Sequence, residues 1–282
     1  MQMLKVFALM AGLTLIMVGA GSYFGGSQGA VAMFVVAALM NLGSYWFSDR
    51  MVLRMYRAQI VDRTKAPELY AMVERLARRA QLPMPVVAIA PSDQPNAFAT
   101  GRSPEKGVVC FTQGILRVMP VGSPELEGVT AHELAHIKHR HILVGAIAAT
   151  MAGMIMMLSR VGMFFGGGGR DRDRGGHPIV AIAMMILAPI AAMLVQLAIS
   201  RQNEYQADRT GAEIAGNPRG LANALRKMDA LAHQIPMEIN PAAAALAIVN
   251  PLTGRRGLGF GGLFTTHPST EERVARLEAL AR

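Results

Sequence analysis

Four stretches of this 282-residue chain are almost free of charge, and each is about as long as a bilayer is thick. Residues 1–48 hold one charge, Lys5, and contain two apolar runs, Leu4–Phe24 and Ala30–Phe47, separated by the small polar run Gly25–Gly29. Ile142–Ser159 has no charge over 18 residues and Pro178–Ser200 none over 23. A hydrocarbon core about 30 Å thick takes roughly 20 apolar residues in helical form. The four stretches therefore predict four transmembrane helices. Tyr23, Tyr45 and Trp46 stand at the ends of the first two, where amphipathic rings favour the interface. The 18-residue stretch also suits a buried or re-entrant helix. A cleaved signal peptide is the other account of the first run, with Gly19-Ala20-Gly21 as a small-residue cleavage site. The run exceeds the roughly 7–15 apolar residues of a signal core, and a second apolar run follows closely, so a retained span is preferred.

Composition narrows the class further. The chain is 52% hydrophobic and only 17% charged, which excludes a disordered chain. A single cysteine excludes a disulfide-stapled secreted domain. Cys110 lies in an apolar strand pattern and reads as a buried small hydrophobe in a reducing compartment. The net charge of +9 is unevenly placed. With four spans, eleven Lys or Arg residues near span ends fall on the side holding the two large polar segments, and four, Arg160, Arg170, Arg172 and Arg174, on the other. That bias predicts a cytosolic site for both polar segments. The Gly/Arg/Asp loop 166–176 runs mildly against it and reads as a solvated loop. No basic stretch is interleaved with aromatics, so nucleic acid is not an expected partner.

The organisation follows from this charge map. Residues 1–48 form two transmembrane helices, 49–141 a cytosolic α+β part, 142–200 two further spans joined by the Gly/Arg/Asp loop, and 201–282 a cytosolic helical part. Apolar spacing predicts a helix over Pro67–Ala80, strands at Val86–Ala90, Asn96–Thr100 and Val108–Thr112, and a helix from Ser123-Pro124 to about His139. Helices are also predicted over Arg201–Gly216, Pro218–His233 and Thr270–Ala281, the last opened by the capping box Ser269-x-x-Glu272. The Gly-rich run Gly254–Gly262 lacks the Gly-Lys-Ser/Thr of a phosphate loop.

The chemistry concentrates in His132-Glu133-Leu134-Ala135-His136. On a helix, residues i and i+4 share a face, so both imidazoles can reach one metal ion, with Glu133 beside them to take a proton from bound water. The bland account of this segment is a surface helix with satisfied histidines. A catalytic zinc usually takes three protein ligands and leaves a fourth position for water. Glu204, four residues after the last span, is the best candidate for the third ligand. Asp208, one turn on, is placed to orient a ligand histidine. Taken alone, Glu-x-x-x-Asp is weak, and a solvated face explains it as readily. Two spans lie between His136 and Glu204, so both stand on one side of the membrane and within about 10 Å of its surface. His139 lies about 10 Å along the helix from His132 and, with His141, is expected to be solvated or to face headgroups. His177 and His233 carry no motif.

These residues closely resemble the HtpX family of membrane-bound zinc metalloproteases, relatives of the CAAX prenyl endopeptidases. The resemblance covers essentially the whole chain. It rests on Met51-Val-Leu-Arg-Met-Tyr56, Pro95-Asn-Ala-Phe-Ala-Thr-Gly-Arg102, Ala131-His-Glu-Leu-Ala-His136, Glu204-Tyr-Gln-Ala-Asp208 with Gly211-Ala-Glu213, and Thr266-His-Pro268. It implies a multi-pass α-helical protein of the bacterial inner membrane with a cytosolic α+β zincin-like peptidase domain. It implies one zinc ion per chain on His132, His136 and Glu204, with Glu133 as base. The implied substrates are peptides and misfolded or damaged membrane proteins, in a stress response where other membrane quality-control proteases also act. By similarity, Asn96-Ala97-Phe98 looks like the edge strand that aligns an extended substrate through main-chain pairing. His267 is a candidate oxyanion donor, with a structural histidine at a helix start as the equal alternative, and Tyr205 a second candidate donor. The sequence departs from relatives at His139 and His141, where Asn and Asp are frequent. The Gly/Arg/Asp loop also departs.

Two rivals remain. An intramembrane protease would bury His-Glu-x-x-His in an apolar span, but Glu125, Glu127, Lys138 and Arg140 flank it here. A metal transporter or a non-catalytic metal-binding membrane scaffold is the alternative of another class. Transport calls for ionisable residues inside the spans, and these hold only Gln196 and Asn41 as larger polar groups.

Overall fold

The computed structural model describes residues 2–152, 201–232 and 268–281. Its first element, α1 (Gln2–Met55), is a helix broken at Gly25 and Gly26. Gly26 has φ +58° and ψ −147°, a conformation open to glycine alone, and the chain doubles back there. The two arms run side by side. The Asn41 amide donates to the Met10 carbonyl (3.2 Å) and to Thr14 Oγ1 (3.0 Å) across them. Gly21 and Gly29 meet at the tip, where a Cβ on either would strike the backbone of the other. Small residues allow such close approach where lipid supplies no hydrophobic drive between helices. Each arm, Met3–Tyr23 and Gly25–Met55, is long and apolar enough to cross a bilayer. Leu4, Phe7, Leu15, Phe34 and Leu39 point outward and exposed, whereas Val6, Leu9, Leu13, Ala37 and Met40 turn inward. The inner face packs on Leu143, Val144, Ile147 and Met151 of a further apolar helix, α5 (His141–Ala152). That helix is the start of the third expected span. The rest of the span, the fourth span Pro178–Ser200, the loop 166–176, the run 254–262 and His177, His233 and His267 lie outside the described residues.

The second arm does not stop at residue 48. It runs on to Met55 because Met51, Val52 and Leu53 continue the apolar pattern with no breaker, and it ends where Arg57 takes φ +51°. The extension carries Tyr56 onto the soluble part. Tyr56 is buried and its ring lies 4.2 Å from that of Phe98. No flexible linker separates membrane hairpin and soluble part here.

The soluble part holds a four-stranded sheet: β1 (Gln59–Val61), β2 (Val86–Ala90), β3 (Ala97–Thr100) and β4 (Val108–Thr112), in the order β1-β2-β4-β3. β2 and β4 are parallel and the outer pairs antiparallel. The predicted strands lie where expected. β1 escaped the sequence, since three residues with a mostly exposed pattern carry no alternation signal. α2 (Pro67–Arg79) buries Leu69, Met72, Val73 and Leu76 at helix spacing in the core that also holds Phe111, Leu126 and Val129. Thr112 ends β4, and its hydroxyl accepts from Asn96 N (2.9 Å) and Ile115 N (3.2 Å), fastening the start of β3 and capping the short α3 (Gln113–Val118). α4 (Pro124–Lys138) is capped by the Ser123 hydroxyl. It is buried along most of its length by the sheet on one side and by α6 (Arg201–Ala215) and α7 (Pro218–Ala232) on the other. α8 (Thr270–Leu280) closes over α6 and α7. Ser269 caps α8 as predicted, but Glu272 turns to Arg276 and Tyr205 instead of completing the box.

α4 and α6 touch at Gly211. A Cβ there would stand 2.9 Å from both Cα and N of His132. Gly211→Ala is therefore expected to push the two helices apart, lowering stability by about 1–3 kcal/mol and weakening metal binding more than a surface Gly→Ala control. Thermal unfolding and metal titration of the variant measure both.

Candidate metal centre

The helix α4 puts His132 and His136 one turn apart, and α6 presents Glu204 to them. His132 Nε2 and His136 Nε2 are 3.0 Å apart. Glu204 Oε1 lies 3.5 Å from His136 Nε2, and Glu204 Oε2 lies 3.7 Å from His132 Nε2. Donors around a tetrahedral zinc with bonds near 2.0–2.1 Å stand about 3.3 Å apart. The three edges bracket that value. Among the described residues, these three form the one cluster of such groups placed to share an ion.

Charge makes a second argument. Glu133, Glu204 and Asp208 are all buried, at 4%, 6% and 4% exposure, and the buried cation among them is Arg273, at 1%. Among the described residues, three carboxyl groups share this low-dielectric interior with one guanidinium, and a divalent cation bound there would lower the cost of ionising them.

Arg273 was not foreseen from the sequence. It projects from α8, and its guanidinium clasps Asp208 through two bonds, Nε to Oδ2 at 2.8 Å and Nη2 to Oδ1 at 2.7 Å. Its Nη1 is 3.6 Å from Glu204 Oε2. Asp208 Oδ1 in turn faces His132 Nδ1 at 3.0 Å. Burial would raise the Asp208 carboxyl, but the charge and hydrogen bonds of Arg273, with His132 behind them, hold it below the usual carboxylate range. In the sequence Arg273 directly follows Glu271 and Glu272 in a charge-rich helix, where it looks like any solvated charge.

Glu133 sits on the sheet side of α4 and accepts the Ala99 N–H. Burial first, and then the negative charge of Glu204, push its carboxyl well above the ordinary value, against the opposing pull of Ala99 N–H and Arg273. Burial also lowers the His136 imidazole well below its ordinary value, which keeps a nitrogen lone pair free at neutral pH.

β3 runs beside Glu133 as an edge of the sheet among the described residues. Thr112 N donates to the Asn96 carbonyl (2.9 Å), and bonded pairs alternate along an antiparallel ladder. The main chain of Ala97 and Ala99 therefore turns to the outer edge, with the Ala99 N–H already on Glu133. Phe98 faces inward, its main chain toward Cys110 and its ring on Tyr56.

Two expectations are corrected. His141 does not face solvent or headgroups. It is 7% exposed, and its Nδ1 lies 3.2 Å from His136 Nδ1, because the chain turns at Arg140 (φ +58°) and brings the first residue of α5 back onto α4. His139 is half-buried, with Nε2 on Thr210 Oγ1 (2.9 Å) and Nδ1 facing Gln206 Nε2 (3.3 Å) of α6. Tyr205 points away from the cluster. Its ring lies under the Arg276 guanidinium at 3.8 Å and its hydroxyl bonds Glu272, so it is not placed to hold an oxyanion.

Two imidazoles and a carboxylate converging on one point, with a buried carboxyl and an edge strand of the sheet beside them, are the arrangement of a metalloprotease site. The profile of Peptidase family M48 matches residues 63–281, and the chain belongs to that family. It is 57% identical over 281 residues to a protein named Protease HtpX homolog from Gemmatimonas aurantiaca, covering 100% of both chains. It is 53% identical over 282 residues to a protein of the same name from Methylibium petroleiphilum, covering 99% of this chain and 98% of that one. The crystal structure of S. mikatae Ste24p is similar at 18% identity with a TM-score of 0.47. The match covers 98% of this chain, which spans 65% of that chain's length.

Proposed function

We propose that this chain is a zinc-dependent endopeptidase of the bacterial inner membrane that hydrolyses peptide bonds of misfolded or damaged membrane proteins. His132, His136 and Glu204 would hold one zinc ion per chain, and Asp208 would orient His132. The observation that carries this is the convergence of two Nε2 atoms and a carboxylate at 3.0–3.7 Å, inside a buried site that holds three carboxyl groups. Bound zinc acts as a Lewis acid that lowers the pKa of its water and polarises the scissile carbonyl.

Glu133 is the general base in this reading. Its carboxylate takes the proton of the attacking water and later hands it to the leaving amine. An extended substrate would lie along β3, pairing with the outward main chain of Ala97 and Ala99 while Asn96 and Phe98 hold the strand in place. His267, three residues ahead of the start of α8, remains the candidate oxyanion donor.

Four spans with both polar segments in the cytosol fit the bias of basic residues and the even number of spans between His136 and Glu204. The hairpin anchors the sheet through Tyr56, so substrate would be cut close to the membrane surface.

The test uses the full chain in detergent micelles or nanodiscs. Zinc content near one per chain is expected. A chelator should abolish cleavage of an unfolded membrane-protein substrate, and added zinc should restore it. Cleavage that survives complete removal of zinc rules the assignment out.

A further inference from the structure

At each of the two histidines at the centre the second nitrogen faces another side chain, but the two partners are unlike. His132 Nδ1 faces the Asp208 carboxylate at 3.0 Å. His136 Nδ1 faces another imidazole, His141 Nδ1, at 3.2 Å. Ring planes 68° apart, with centroids at 5.3 Å, fit an in-plane bond between nitrogens better than a face-to-face stack. A neutral imidazole carries one N–H. If Nε2 of His136 offers its lone pair to an ion, its proton must sit on Nδ1, and only an acceptor can face it there. His141 meets that requirement when its own proton is on Nε2.

We propose that His141 is a positioning residue for the metal site: it accepts the Nδ1–H of His136 and so fixes the tautomer and plane in which His136 presents Nε2. This rests on the zinc reading above. The partner that orients a ligand histidine is usually a carboxylate, a main-chain carbonyl or water. Here the neutral acceptor adds no charge to an interior that already holds three carboxyl groups. It also ties the site to the membrane part, because His141 opens α5, whose Leu143, Val144 and Ile147 pack on the hairpin of α1. The ring of His139 stacks on His141 with centroids 5.5 Å apart and planes 27° apart, and Thr210 fastens His139 from α6. His141 is thereby held on both sides.

The test measures zinc affinity by competition with a chromogenic chelator, on the full chain in micelles. His141→Phe keeps the ring but removes the acceptor, and is expected to weaken zinc binding about 10–100-fold. His141→Asp and His141→Gln each supply an acceptor oxygen and should recover most of that loss, which a purely space-filling role would not predict. Thermal unfolding in excess chelator should be similar for Phe and wild type. Independently of any variant, 15N NMR of the zinc-loaded wild type should find His141 protonated on Nε2 and not on Nδ1. Wild-type affinity in His141→Phe, or an Nδ1–H tautomer at His141, overturns the proposal. Glu204→Ala separates it from the reading beneath it. Loss of zinc in Glu204→Ala with wild-type affinity in His141→Phe sinks this inference alone, whereas retained zinc in Glu204→Ala overturns both.

Discussion

Glu133→Gln is expected to bind zinc as the wild type does and to cleave substrate about 10²–10⁴ times more slowly. The amide has nearly the size and shape of the carboxyl, and its oxygen can still accept the Ala99 N–H that now holds Glu133. What it loses is the ability to take and return a proton. The donors His132, His136 and Glu204 are untouched, so metal content should stay near one per chain. Stability should not fall either. Burial and the neighbouring Glu204 oppose ionisation of Glu133, so an uncharged side chain relieves that repulsion. Cleavage rate, zinc content and unfolding temperature, taken on one preparation, separate these effects. A variant that loses activity and zinc together would show Glu133 to be structural, and a fully active one would end its assignment as base.

Arg273→Met is expected to be the most destabilising single change around the site, costing about 3–5 kcal/mol. Methionine fills much of the same space but takes away the cation that now bonds the buried Asp208. The guanidinium now gives Asp208 two short bonds from a position 1% exposed, so water cannot substitute for it. The contribution also depends on pH. The folded state holds Asp208 below its ordinary pKa, so the stabilisation is complete above that ordinary value and is lost as pH falls through the depressed one. Asp208→Asn combined with Arg273→Met should recover part of the loss, since the orphaned charge goes with its partner. Unfolding of the full chain in excess chelator reads these terms without metal. Zinc added back should raise the transition of both wild type and variant by mass action. An unchanged transition in Arg273→Met would mean that α8 does not hold the site together.

Much of this was legible along the chain. The i and i+4 spacing of His132 and His136 and of Glu204 and Asp208 puts each pair on one helix face, since a helix repeats every 3.6 residues. The paired small residues Gly25 and Gly26 between apolar runs mark a hairpin, and the structure bends there. Strand and helix limits in the soluble part follow local alternation, Ser123 and Ser269 caps included. The failures have one cause. His141 reads as polar because it is flanked by Arg140 and follows Lys138, yet the turn at Arg140 folds it inward. Arg273 stands between Glu272 and Arg276 in a helix with the composition of a solvent face, and Glu272 leaves its capping box for Tyr205 and Arg276.

The sequence by itself determined where apolar length suffices to cross a bilayer, and which side chains share a helical turn. Both depend on spacing within one segment, and a helix converts spacing into geometry with no help from elsewhere. The tertiary structure alone decided which charges are buried together. Asp208 and Arg273 are 65 residues apart, and His136 meets His141 only because α4 and α5 fold against each other. Whether a charge stands in water or in a low dielectric is set by neighbours from distant elements. That is why the donor spacing was visible along the chain and the groups that hold the donors were not.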